Sequence, residues 1–234
     1  MVTLEEFMEE LRLQLDDVPA SDEEDESARL WKTSELHRYI DRAQDALCVW
    51  TNYLPGELTL PVFAEDREVI LPYRVIDITD AYLVAAKRNL AIRNRDELNN
   101  FSTNDYGAQH SAGWRDARAA SATTLVLNYA AGQGLLVPEP QIDDELTLVG
   151  SFLPHRVSER CKFFTNRPDH VWALMPHVKQ QAYSKHDADA YDPQLSDKYR
   201  FEALEEFNRV DHQVKLLRNS PHKGSGTMTY GGIR

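Results

Sequence analysis

Tyr183-Ser-Lys-His-Asp-Ala-Asp-Ala-Tyr-Asp-Pro193 separates two apolar-periodic segments near the end of this 234-residue chain. Before it, Val171, Leu174, Met175, Val178 and Ala182 recur at three- and four-residue steps, which predicts a helix with a kink at Pro176. After Pro193 a longer helix is expected, carrying Leu195, Tyr199, Leu204, Phe207, Val210, Val214 and Leu217. The turn between them opens like a calcium loop at Asp187-Ala-Asp189. It then departs from that pattern, with Asp192 where the loop needs glycine and Lys198 where it needs glutamate. A solvated helix connector is therefore expected, not a metal site.

Beyond the second helix the composition changes. Ser220-Pro-His-Lys-Gly-Ser-Gly-Thr-Met-Thr-Tyr-Gly-Gly-Ile-Arg234 is rich in glycine and has no acid. Gly224, Gly226, Gly231 and Gly232 let such a segment thread a narrow groove in extended form. Met228 and Tyr230 alternate as the pocket-filling residues of a docked strand would, and a bend at Gly231-Gly232 would bring Ile233 into line with them.

Toward the other end, Leu4, Phe7, Met8, Leu11 and Leu15 predict a helix over residues 3–15, with Thr3 and Glu6 at capping-box spacing. An acidic loop, Asp22-Glu-Glu-Asp-Glu26, follows. A second helix is expected from about Ser34 to Tyr53, capped at Thr33 or Ser34, with Leu36, Tyr39, Ile40, Ala43, Leu47 and Trp50 on one stripe and Pro55-Gly56 at its end. The middle of the chain reads as strand. Residues 57–63 and 68–71 are expected to form two strands joined around Ala64–Arg67, followed by strands at 74–84, 123–129 and 145–153. Between them, 85–122 is irregular apart from a short helix near 95–101.

The order helix, strand, helix gives an α+β class: a helical bundle built from the N- and C-terminal helices, with a small β-domain inserted and an extended C-terminal tail. The expected boundaries are residues 1–56 and 155–217 for the bundle, 57–154 for the β-rich insertion and 218–234 for the tail.

Apolar residues make up 42% of the chain and the mean hydropathy is −0.54. Apolar runs fall far short of the roughly 20 residues a bilayer-spanning helix needs. The opening Met1-Val-Thr-Leu-Glu-Glu has neither a basic nor an apolar leader segment, so no signal peptide is expected. Two cysteines make no disulfide framework; Cys48 reads as a buried thiol in a protein made in a reducing cytoplasm. The net charge is −12, unevenly placed. Residues 1–30 carry eleven acids and two arginines, whereas 212–234 carry Lys215, Arg218, Lys223 and Arg234 with no acid. Such opposite termini mark segments that meet partners. The acidic bulk argues against tight DNA binding, which displaces counterions with lysine and arginine.

No nucleophile elbow, phosphate-binding loop, dinucleotide fingerprint or zinc-protease motif occurs in the sequence. His170, His177 and His186 lack metal-ligand partners at suitable spacing. Glu5-Glu6 and Glu205-Glu206 read as solvated helix faces. Trp31, Trp50, Trp114 and Trp172 read as core or interface packing. No catalytic, cofactor-binding or metal-binding residue is expected, and the protein is read as a non-enzyme.

Four pieces in order resemble the head-to-tail adaptor (connector) proteins of tailed bacteriophages. They are Trp31-Lys-Thr-Ser-Glu-Leu-His-Arg-Tyr-Ile-Asp-Arg-Ala-Gln44, the Leu58-Thr-Leu-Pro61 to Leu71-Pro72 hairpin, the strand Leu146-Thr-Leu-Val-Gly-Ser-Phe-Leu-Pro154, and the turn at 182–192 followed by Ala203-Leu-Glu-Glu-Phe207. The resemblance covers about residues 30–210, with nothing in it matching 85–122. It implies a structural virion protein, assembled in the host cytoplasm and seated at the neck: a homo-oligomeric ring, dodecameric in the family, joining portal protein to a tail or nozzle protein. DNA passes through the channel without sequence-specific binding, and no membrane is involved. On this reading Met228, Tyr230, Gly231, Gly232, Ile233 and Arg234 form the portal-docking tail, and Tyr39, Trp50 and Phe207 serve subunit packing. The alternatives are a tail-side closure or gatekeeper protein and, less favoured, a peptidoglycan-degrading tail enzyme, which would need a carboxylate poised in a cleft.

Overall fold

A computed structural model describes residues 2–17, 29–100, 114, 117–185 and 190–219. It is a mixed α+β structure divided into two compact units. One comprises residues 1–43 and 165–234, the other 44–164.

The first unit is helical. Helix α1 (Leu4–Gln14) starts at the expected capping box: Glu6 N–H donates to Thr3 Oγ1 while Thr3 N–H donates to the Glu6 carboxylate. Its apolar stripe buries Phe7, Met8 and Leu11, and the Phe7 ring stacks on Trp172 with centroids 5.4 Å apart. Arg12 ties this helix to the chain beyond residue 28. Its guanidinium donates to Asp17 Oδ2, to the Trp31 carbonyl at 3.2 Å and to Thr33 Oγ1 at 2.9 Å, and Asp17 also accepts from Leu30 N–H. Asp17 and the stretch from Leu30 to Thr33 are thus held at one point.

Helix α2 (Thr33–Thr51) begins one residue earlier than the sequence suggests. Glu35 reaches back to the Lys32 N–H, so the chain turns at Lys32. Leu36, Ile40 and Ala43 are fully buried along its first half.

Helix α3, a single turn at Val157–Arg160, lies in the second unit, and the expected kinked helix is two helices of the first unit, α4 (Pro168–Trp172) and α5 (Met175–Tyr183). Pro168 and Pro176 each occupy the first turn of their helix, where a missing N–H leaves no bond unmade, so Pro176 starts a helix and bends none. Helix α6 (Pro193–Asn219) is the long one. Asp192 begins it: its carboxylate accepts from the N–H groups of Gln194 and Leu195, with Pro193 at the first helical position. The paired contacts run in opposite directions along the two segments. Tyr183 stacks on Tyr199, His177 on Phe207, and His170 meets Gln213, so α6 is antiparallel to α4 and α5. Ala203, Phe207, Val210 and Val214 form its buried stripe; each large apolar side chain removed from water here contributes about 1.5–3 kcal/mol.

The second unit holds the strands. One antiparallel sheet has the order β1-β10-β3-β4, from β1 (Pro55–Val62), β10 (Asp144–Phe152), β3 (Val75–Leu83) and β4 (Arg88–Asn89). A second has the order β2-β8-β7-β5, from β2 (Glu68–Ile70), β8 (Gln133–Val137), β7 (Thr124–Ala130) and β5 (Ala91–Asn94), with β5 parallel to β7. A two-residue parallel pair joins β6 (Arg118–Ala119) to β9 (Glu139–Pro140). Val62, Ile78, Leu125, Leu136, Leu146 and Leu148 belong to one buried cluster, so the two larger sheets share a core.

The expected hairpin between β1 and β2 does not form. β1 pairs with β10 and β2 with β8, in different sheets. The link at Ala64–Arg67 is tied elsewhere: Ala64 N–H donates to Asp143 and Glu65 N–H to the Pro140 carbonyl, with Glu65 in the left-handed region at φ 65°. A long-range tether thus replaces the tight closure that a hairpin turn would need. The described parts of section 85–122 hold more regular structure than the sequence suggests. They supply β4, β5, β6 and a 3-10 helix at Arg95–Asn100, where a short helix is expected.

Candidate functional site

Every tail residue assigned to docking (Met228, Tyr230, Gly231, Gly232, Ile233 and Arg234) lies outside the described residues, as do the acidic stretches 22–26 and 186–189. Of the three packing candidates, Trp50 is half exposed on the last turn of α2. Tyr39 is partly buried, and its carbonyl accepts from the Gln181 amide. Phe207 is enclosed within its own unit against His177, so it presents no face to a neighbour. Leu204, expected on the apolar stripe of α6, flanks it and is exposed, and Phe201, which the sequence does not single out, sits on the opposite side and is exposed too. Their positions, two residues before and one after Ala203 on the buried stripe, are the signal that separates them.

The displaced titrations all have structural causes. The Arg67 guanidinium, hydrogen-bonded to Glu139, holds that carboxyl below the usual range, with Arg118 adding to the effect. Arg167 does the same for Asp169. Desolvation pushes Glu35 upward, but the Lys32 N–H and the Lys185 ammonium at 3.2 Å outweigh it and leave its carboxyl lowered. Burial, with Asp45 nearby, pushes the Cys48 thiol up to about 12, leaving it un-ionised and inert as a nucleophile at neutral pH. The three carboxyls are spread over several elements, each spent on a structural partner. Among the described residues, no group of three or more His, Cys, Asp or Glu side chains is placed to hold a metal ion. No helix among them is long and apolar enough to cross a membrane.

His170 and His177 make the fold pH-sensitive. Burial lowers both imidazoles below their ordinary value. With the Gln213 amide turned so that its nitrogen donates to His170 Nε2 at 2.7 Å, its oxygen accepts from Arg209. His177 stacks on Phe207, and its Nδ1 lies 2.9 Å from the Gln181 amide. Below about 6.5 the unfolded chain takes up protons that the folded chain resists. Stability is therefore level above that pH and falls as the pH drops toward the folded values. The lowered carboxyls of Glu35, Glu139 and Asp169 add a second decline, beginning below the ordinary carboxylate pKa near 4.5. Urea midpoints measured from pH 8 to pH 3 should show both stages. The double variant His170→Gln/His177→Gln should flatten only the first.

What the described surface offers is apolar side chains on rigid elements. Phe201 and Leu204 lie on α6, Val49 and Trp50 at the end of α2, and Phe63, Ile70 and Tyr73 about the β1–β3 connections. No protein-family model matches the chain, and no curated protein matches it.

Proposed function

We propose that this protein is a structural component of a tailed-phage virion: an adaptor ring at the neck, joining the portal to the tail and enclosing part of the DNA channel. The helical unit is the ring body, a bundle formed from both ends of the chain. The strand-bearing unit is an insertion into it, and the segment after α6 is the portal-docking tail. The observation that carries the reading is the helical unit's assembly from residues 1–43 and 165–234, with α6 leading directly into the basic, acid-free segment. A 27-residue helix rigid enough to buttress a ring, followed by a tail suited to groove insertion, is the arrangement such a connector needs.

Lateral packing in the ring falls to exposed apolar residues on the helices, Trp50 on α2 and Phe201 and Leu204 on α6. Twelve-fold repetition multiplies a weak contact into a stable one, at the tail as well as between subunits. The acidic chain lines a conduit from which DNA is repelled.

The test is co-sedimentation with isolated portal rings. Full-length protein should pellet with portal. A chain ending at Asn219 should lose at least tenfold in portal affinity while keeping its far-ultraviolet circular dichroism. A truncated chain that still joins portal rings overturns the assignment. Binding only to a preassembled adaptor ring would make this a closure protein instead.

A further inference from the structure

An open groove of about 1230 Å³ runs along α1, lined also by Thr33 and His37 of α2, Trp172 of α4 and Met175 of α5. Its floor is apolar, with Met8, Leu13, Trp172 and Met175, and Leu13 is 64% exposed. Its rim is acidic: Glu5, Glu6, Glu9 and Glu10 all line it. The cations on the other wall do not balance them. Arg12 is already matched by Asp17, which leaves Arg29 as the other Arg or Lys among the described lining residues, against four carboxylates.

We propose that this groove is the docking site of the chain's own segment 220–234 while no other partner holds that segment. Three observations converge on this occupant. The first is charge, since Lys223 and Arg234 are the only charged side chains of a segment with no acid, and they meet a wall of glutamates. The second is composition: Met228 and Tyr230 match the apolar floor, and the flanking glycines allow close approach of backbone to groove. The acidic segment 22–26 would be repelled by the same rim.

The third is reach. Gln213 on α6 lies against His170 on α4, two residues from the groove-lining Trp172. Asn219 is six residues further along the helix, about 9 Å at 1.5 Å per residue. Fifteen residues then span up to ~50 Å in extended form, against an α1 only about 16 Å long. Tethering also gives the segment a high effective concentration at its own groove, which favours the same chain over a second copy. The parked segment is shielded until a competing site takes it. This docking does not rest on the portal reading, because it is a property of the free protein.

Carbodiimide cross-linking of full-length protein tests it. Lys223 should form an amide with an α1 glutamate, and a mixture of ¹⁵N-labelled and unlabelled protein should show the bond within single chains. The exposed-position variant Glu5→Gln/Glu9→Gln, or 0.5 M salt, should lower the yield about fivefold or more as the Debye length shrinks. Tryptic cleavage after Lys223 should accelerate by a similar factor. Cross-links from Lys223 scattered over acids elsewhere overturn the proposal, as do bonds joining labelled to unlabelled chains. So does a cleavage rate indifferent to both the variant and the salt. Failure here leaves portal co-sedimentation untouched, so the two proposals fall separately.

Discussion

Gly150→Ala should destabilise the strand-bearing unit more than any other single-methyl addition to the glycines described here. A Cβ at position 150 would collide with the Asp77 carbonyl oxygen and lie 2.9 Å from its carbon and 3.0 Å from Ile78 Cα. All three are backbone atoms of the paired strand, so no rotamer change relieves the clash. The approach is so close because the β3–β10 register shifts here. Val149 faces Asp80 and Gly150 faces Ile78, leaving Thr79 as an extra residue on β3. Its hydroxyl donates to the Val149 carbonyl at 3.2 Å, and the bulged strand bends toward Gly150. The expected loss is about 4 kcal/mol, the range of overpacked or strained core positions. Gly134→Ala is the control. Its added methyl meets the mobile end of Leu125 at 3.1 Å, and the loss should stay near 1 kcal/mol. Urea unfolding of both variants decides the matter; a Gly150→Ala protein with the parental midpoint would refute the bulge.

In the helical unit the largest single loss should come from Trp31→Ala. Trp31 is 2% exposed and sits where the chain enters α2. Its indole N–H donates to the Ala182 carbonyl at 3.1 Å, and its ring meets Tyr183 edge-on at 5.9 Å. One side chain thereby closes the α2 entry against the end of α5, across 151 residues of sequence. Removing it leaves a cavity and takes the indole donor from a carbonyl that then keeps only the Lys185 and Ser184 N–H groups, for an expected loss of about 3–5 kcal/mol. Trp31→Phe keeps most of the packing and drops only the donor, so it should lose about 1–2 kcal/mol. Guanidinium unfolding of the series tests this. Equal losses for the two variants would mean that the hydrogen bond, and not the packing, carries the site.

The helices were legible because their signals are local. Thr3 with Glu6 announces the start of α1, and the α1, α4–α5 and α6 stripes name most of the side chains buried there. Leu204 and Leu217 show where such periodicity misleads: both fit the apolar pattern, yet they fall at the edge or beyond the end of the packed stripe and are exposed. Asp192 was read as a failed calcium-loop position, but the Asp-Pro pair is an N-cap followed by the first helical residue, visible in the sequence to a reader looking for a helix start. Pro176 follows the same logic.

Strand positions were legible and strand partners were not. The β1 and β10 segments are each marked by alternation, but nothing in either names the other across some 90 residues. β5 and β8 were missed because four or five residues paired through buried backbone carry too little pattern of their own.

Sequence alone determined the mixed class, the start of α1, the charge separation between the termini and the composition of the tail. These depend on neighbours within a few residues or on simple sums. Only the tertiary structure decided that β1 joins β10 instead of β2, that Phe207 is enclosed while Phe201 faces outward, and that the α1 glutamates rim an apolar groove. Those outcomes are set by which distant surfaces exclude water together, and a linear pattern names a buried face without naming what covers it.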